Sequence, residues 1–119
     1  MADFQPILNE ILEIEGVQVS LLASDDGLVI DKATKDSIDP EALGAVASGG
    51  LRATTMIGNE LAKGSTKEVI IIFEEGAVFI YPIEGKPATL VVVANPGANF
   101  GKIRNAIKKV IYKLIRLIQ

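Results

Sequence analysis

Residues 39–64 read DPEALGAVASGGLRATTMIGNELAKG, a predicted helix that is short of charge on every side. Asp39 offers a capping carboxylate, Pro40 suits the first helical position, and Glu41 places an acid in the first turn. The helix should run to about Lys63, with Gly64 as its stop. On a wheel at about 100° per residue, Leu43, Val46, Ala47, Gly50, Thr54, Ile57 and Leu61 gather on one side, the expected sheet-facing side. Opposite them stand Ala45, Ser48, Gly49, Arg52, Thr55, Met56 and Asn59. A solvated face normally carries several Lys and Glu. This one has Arg52 alone, with Glu60 at its edge. Gly49-Gly50 inside a helix costs roughly 1 kcal/mol per glycine against alanine. A compensating close approach by another backbone is therefore expected, and the opposite face reads as a subunit interface.

Before this helix lie a helix and a hairpin. Phe4, Ile7, Leu8, Ile11 and Leu12 recur at the helical period, predicting a first helix over residues 4–14 with Asp3 as N-cap and Gly16 beyond its end. Residues 17–23 alternate in part, with Val17, Val19 and Leu21 assigned to one face. Asp25-Asp26-Gly27 supplies a tight turn, and residues 28–33 return as a second strand.

After it come three strands, over residues 68–74, 77–83 and 88–94, divided by Glu75-Gly76 and Gly85-Lys86-Pro87. The runs Val69-Ile70-Ile71-Ile72-Phe73 and Leu90-Val91-Val92-Val93 are continuously apolar, which suits strands covered on both faces. Asn99 should cap a last helix whose stripe includes Ile103, Ile107, Val110 and Leu114. This order predicts an α+β domain of three layers over residues 1–119, with a largely antiparallel five-stranded sheet.

Composition closes several routes to chemistry. The 119 residues contain no Cys and no His, so thiol nucleophiles, disulfides, imidazole bases and Ser-His-Asp sets are absent. Gly97-Ala98-Asn99-Phe100-Gly101-Lys102-Ile103 imitates a phosphate loop, but the glycine spacing is short by one and Ile103 replaces the magnesium-binding hydroxyl. Asp25, Asp26 and Asp31 lack calcium-loop spacing and read as turn residues. No catalytic, cofactor or metal site is expected.

Charge is split along the chain. Residues 1–99 hold fifteen acids against six bases, and residues 100–119 hold six bases and no acid. An acidic body disfavours nucleic acid. The basic helix reads as a core-packing helix with a solvated rim that offsets the acidic body, ahead of a membrane contact. The start, Met1-Ala2-Asp3-Phe4, lacks a basic leader region, and no apolar run spans a bilayer, so a cytoplasmic protein is expected.

Five segments in order carry a resemblance to a known family. They are Gly16-Val17-Gln18-Val19-Ser20-Leu21-Leu22, Asp25-Asp26-Gly27-Leu28-Val29-Ile30, Asp39-Pro40-Glu41-Ala42-Leu43-Gly44-Ala45, Gly76-Ala77-Val78-Phe79-Ile80 and Asn99-Phe100-Gly101-Lys102-Ile103-Arg104. Together, over about residues 4–118, the chain resembles the Roadblock/LC7 domain family, of the MglB-like bacterial and archaeal type. The resemblance implies a profilin-like sheet in the order 2-1-5-4-3, with helix two on one face and helices one and three on the other. It also implies homodimerisation through helix two and the edge strand, and binding, regulation or scaffolding of a small Ras-like GTPase without catalysis. Carried onto this chain, the interface would use Ala45, Ser48, Gly49, Arg52, Thr55, Met56, Asn59, Val69, Ile71 and Phe73. Arg52 would serve as a dimer contact or ion pair ahead of a stimulating arginine finger. The alternative is a small-ligand sensor of similar architecture.

Overall fold

The computed structural model describes residues 3–118; Met1 and Ala2, part of the stretch read for a leader, lie outside them, as does Gln119. The order is α1 (Gln5–Leu12), β1 (Val17–Ser24), β2 (Val29–Thr34), α2 (Pro40–Glu60), β3 (Val69–Phe73), β4 (Gly76–Pro82), β5 (Ala88–Ala94) and α3 (Phe100–Leu117). The strands form one antiparallel sheet in the order β2-β1-β5-β4-β3. α1 and α3 cover one face and α2 the other. Fold class and strand order agree with the expectation from sequence.

Local chemistry sets the helix starts. Asp39 accepts hydrogen bonds from the Glu41 and Ala42 amides at 3.1 and 3.3 Å, and Asn99 accepts from the Lys102 amide at 3.0 Å. At α1 the cap position falls on Phe4, which has no side-chain cap; Asp3 instead accepts from the Gln5 amide at 3.1 Å. α2 ends at Glu60, short of Lys63, because Ala62 turns left-handed at φ 54° and the chain folds back over the helix. The Lys63 amide donates to the Gly58 carbonyl at 2.9 Å. A Cβ on Gly58 would lie 2.7 Å from the Gly64 carbonyl oxygen, so only glycine admits this return.

The core is uneven. Between the sheet and α1/α3 lies the larger cluster, with Leu8, Ile11, Leu22, Phe79, Leu90, Ile103, Ile107 and Leu114 fully buried. Phe79 meets Phe100 edge-on, with ring centroids 5.6 Å apart. On the other face the cluster is Val19, Leu21, Ala23, Ile80 and Val91 with Ala47, the one fully buried hydrophobe that α2 supplies. Val17 departs from its expected face. The pairing of β1 with β5 shifts between Val17 and Val19, which turns Val17 to the α1/α3 side while Val19 and Leu21 face α2.

One polar group is stranded in this core. Ser20 is fully buried, and its Oγ has no hydrogen-bond partner among the described residues. Ser20→Ala removes an unpaired hydroxyl at little change in volume. It is expected to raise stability by about 1 kcal/mol, read as a higher urea midpoint at unchanged slope.

Candidate partner-binding surface

α2 lies on the sheet with its small residues inward. Gly44, Ala47 and Ser48 are its buried positions. A Cβ on Gly44 would sit 2.9 Å from the Gly27 carbonyl oxygen, and one on Gly27 would sit 3.0 Å from the Ala45 Cα. The helix thus meets the β1–β2 turn almost backbone to backbone, with no room for larger side chains at that contact. Leu43 still packs against the sheet-side cluster, but the other large residues are turned outward: Val46 is 73% exposed, Met56 71%, and Ile57 and Leu61 are exposed as well.

The expected wheel is therefore rotated by roughly a quarter turn. Val46, Gly50, Ile57 and Leu61, assigned to the sheet from sequence, are exposed. Ser48, assigned to the partner-facing side, is buried, and its hydroxyl donates to the Asp25 carbonyl at 2.8 Å. The Arg52 guanidinium folds back along the helix and donates to Ser48 Oγ at 3.0 Å. Ala45, Arg52, Thr55, Met56 and Asn59 are exposed, and Gly49 is half-buried. Thr55 donates to the Leu51 carbonyl at 3.1 Å, satisfying its hydroxyl within the helix.

β3 is a free edge. It pairs with β4 alone, in the register Val69↔Ile80 to Phe73↔Gly76. Val69, Ile71 and Phe73 share the sheet face on which α2 lies, while Ile70 and Ile72 point to the α3 side. The strand is not covered on both faces, as its apolar run implied. Val69 is half-buried, Ile70 to Phe73 are exposed, and Ile72 reaches 71%. β5, the other apolar run, is buried along nearly all its length. Eight of the eleven large hydrophobic side chains exposed among the described residues lie on α2 with its cap Leu61 or on β3. This clustering sets them apart from the scattered surface hydrophobes any protein carries.

The two sheet edges contrast. β2 carries Asp31 and Lys32, has an irregular register at Leu22/Ala23, and is tied to α1 by Gln5. The Gln5 amide donates to Asp31 Oδ1 at 2.6 Å and to the Lys32 carbonyl at 2.8 Å. β3 has no charge, no proline and no bulge over its five residues. Proteins blunt edges that must stay single, and only β2 is blunted here.

The start of β3 is fixed to α3 by an ion pair. Arg104 donates to both Glu68 oxygens, at 2.8 and 2.5 Å, and the Tyr81 hydroxyl donates to Glu68 Oε1 at 2.5 Å. These hydrogen bonds, Arg104's first, hold the Glu68 carboxyl down at about 2. Burial, then the Glu68 carboxylate, pushes the Tyr81 phenol up. Because the folded pKa of Glu68 is depressed, its contribution is complete above about 4.5 and fades as pH falls from there through about 2. Glu68→Gln is expected to lower stability by about 1 kcal/mol at neutral pH, allowing for solvent screening. Urea midpoints of the two proteins should converge as pH is lowered through that window.

Comparison with known proteins gives the same frame. The family model described as the Roadblock/LC7 domain matches residues 4–94. The uncharacterized protein MJ1340 of Methanocaldococcus jannaschii is 30% identical over 108 residues, covering 91% of this chain and 93% of its own. Among solved structures, a Roadblock/LC7 domain from Streptomyces avermitilis superposes at a TM-score of 0.88 with 18% identity, covering 97% of both chains. The gliding protein MglB of Thermus thermophilus superposes at 0.87 with 22% identity, over 96% of this chain and 87% of that one. Profilin IB of Acanthamoeba castellanii superposes at 0.67 with 17% identity, over 95% and 97%. At these identities the structures establish the fold, which is profilin-like.

Proposed function

This chain belongs to the Roadblock/LC7 domain family, and on that premise we propose that it is a non-catalytic homodimeric module that binds and regulates a small Ras-like GTPase. The observation that supports the reading is the joint exposure of the outer side of α2 and the unprotected β3 edge. Two copies pairing β3 to β3 antiparallel are related by a two-fold axis perpendicular to the sheet. Each α2 then lies on the same face of a ten-stranded sheet, and the paired helices offer a partner one composite surface.

Arg52 has a role in this arrangement that is structural. Its guanidinium is held on Ser48, which is itself held on the β1–β2 turn. In the single chain it braces the helix against the turn while staying exposed, which supports a dimer contact over a finger. The sensor alternative lacks support in the core. Among the described residues the buried polar side chains are Ser20, Ser48 and Thr89, and Ser48 is already spent on the Asp25 carbonyl, which leaves too few for a ligand site.

The test uses purified Ras-like GTPases from the same genome, each loaded with GDP or a non-hydrolysable GTP analogue. Calorimetry should show one of them binding in one nucleotide state only, with two protomers of this chain per complex. If none binds in either state, the GTPase reading fails, whatever the oligomeric state.

A further inference from the structure

The face opposite α2 carries a charge pattern that the dimer reading leaves unused. α3 has its buried stripe at Ile103, Ile107, Val110 and Leu114. Its outer side presents Lys102, Asn105, Lys108, Lys109, Tyr112 and Arg116, all exposed, and Tyr112 is 69% exposed in their midst. The sequence reading made these cations a rim that offsets the acidic body. The ion pairs bear that out in part. Of the six bases on α3, Arg104 pairs with Glu68 and Lys113 with Glu10. Lys102, Lys108, Lys109 and Arg116 form no salt bridge among the described residues.

We propose that the outer side of α3 is a docking face for an anionic lipid bilayer. The apolar stripe is consumed by the core, so the helix does not insert. It binds from above the headgroups, through charge. An 18-residue helix is about 27 Å long, so its unpaired cations form one band along a straight rod, about a third of its circumference wide. Mobile anionic headgroups collect under such a band. The Tyr112 phenol is suited to headgroup depth, where an amphipathic ring prefers to sit. A nucleic-acid duplex fits less well, because its phosphates wind around a cylinder and are gripped by several elements. Here α1, the neighbouring helix on this face, supplies Glu10 and no base.

Opposite charge sets the orientation. Glu10 and Glu68 stand beside α3, but each is ion-paired with one of its bases, and the helix itself carries no acid, so an anionic surface attracts α3. Should the β3-paired dimer form, its two-fold axis places both α3 helices on one face, and the cations double. The α2 side would then point away from the membrane, toward a soluble partner. The docking face itself does not depend on dimerisation or on a GTPase.

The experiment is co-sedimentation of the full chain with vesicles of phosphatidylcholine alone or mixed with phosphatidylglycerol. Binding is expected to the mixed vesicles only, and to be lost in high salt. Each basic residue near an anionic surface strengthens binding about fivefold, so Lys108→Gln with Lys109→Gln should weaken it roughly 25-fold. Both side chains are exposed, and circular dichroism would verify that the variant folds. Lys35→Gln with Lys63→Gln makes the same change in net charge away from α3 and should leave binding intact. Equal loss in that control, equal binding to pure phosphatidylcholine, or binding to duplex DNA but not to vesicles would each overturn the proposal. Sedimentation of the lipid-free protein reports the dimer separately, so the two readings can fail independently.

Discussion

Gly76→Ala is expected to lower stability by about 3 kcal/mol. Gly76 opens β4 immediately after the Glu74–Glu75 turn, with φ at 139°. A Cβ built there would lie 2.2 Å from the Ala94 carbonyl oxygen, well inside any tolerated approach. Two penalties combine. The backbone must leave a region that L residues rarely enter, and β4 must separate from β5 at the end of the sheet. Backbone strain and overpacking each contribute about 1–3 kcal/mol. For a chain of this size that is a fall in Tm of roughly 10 °C. Gly85→Ala is the internal comparison. Gly85 has φ 75° but open space where a Cβ would go, so only the conformational penalty applies and the loss should be about 1 kcal/mol. Thermal melts at one fixed protein concentration would check both. Equal losses at the two positions would mean that the close approach to Ala94 does not matter.

This position shows what sequence conveys and what it withholds. The turn near Gly76 was readable, since a glycine between two apolar runs marks one. The reason for glycine was not readable, because it is the carbonyl of a residue eighteen positions away. α1 and α3 were readable because each has one apolar stripe and a polar remainder, so periodicity has one solution. α2 has two faces poor in charge, and hydrophobicity alone cannot say which of them meets the sheet. The wheel gave the sheet the face with the bulkier residues, Val46, Ile57 and Leu61. The fold gives it the smaller ones, Gly44, Ala47 and Ser48, because the helix sits against the backbone of the β1–β2 turn. The signal was present in Gly27 and Gly44, two glycines that demand a close approach, but pairing them needs the tertiary structure.

β3 taught the same lesson on a strand. Five consecutive apolar residues imply cover on both faces, and within one chain the cover is missing. The inference from composition to burial is physically sound, and on the proposed assembly the missing cover would come from a second copy. Exposure of Val46, Met56, Ile57 and the β3 edge marks the apolar surface that the proposed assembly would use. Gly49 and Gly50 point the same way. A Cβ on Gly50 would meet nothing within 4 Å, and one on Gly49 only the Arg52 guanidinium at 3.8 Å. The fold of one chain has no use for glycine at either place.

Ile71→Lys follows from that surface and should convert a dimer into a folded monomer. Ile71 lies mid-strand on the α2 face of β3, opposite Val78. It is 38% exposed in the single chain, so a lysine there can reach water and the monomer should keep its fold. In a β3-paired dimer the two-fold axis brings both copies of position 71 near the seam, and each lysine loses water without gaining an acid. Two such penalties amount to about 4 kcal/mol, or roughly a thousandfold in Kd. Sedimentation velocity over a concentration series should show the unaltered protein as a dimer and the variant as a monomer, with unchanged circular dichroism. Gly50→Ala gives an independent reading. Alanine in an open helical position adds roughly 1 kcal/mol to the stability of the single chain, whereas at a tightly apposed helix pair the added methyl pushes the partner away. Tested in the Ile71→Lys background, Gly50→Ala should raise Tm; tested alone, it should weaken dimerisation. A protein that sediments as a monomer at every concentration, or a dimer that Ile71→Lys leaves intact, would refute assembly through this surface.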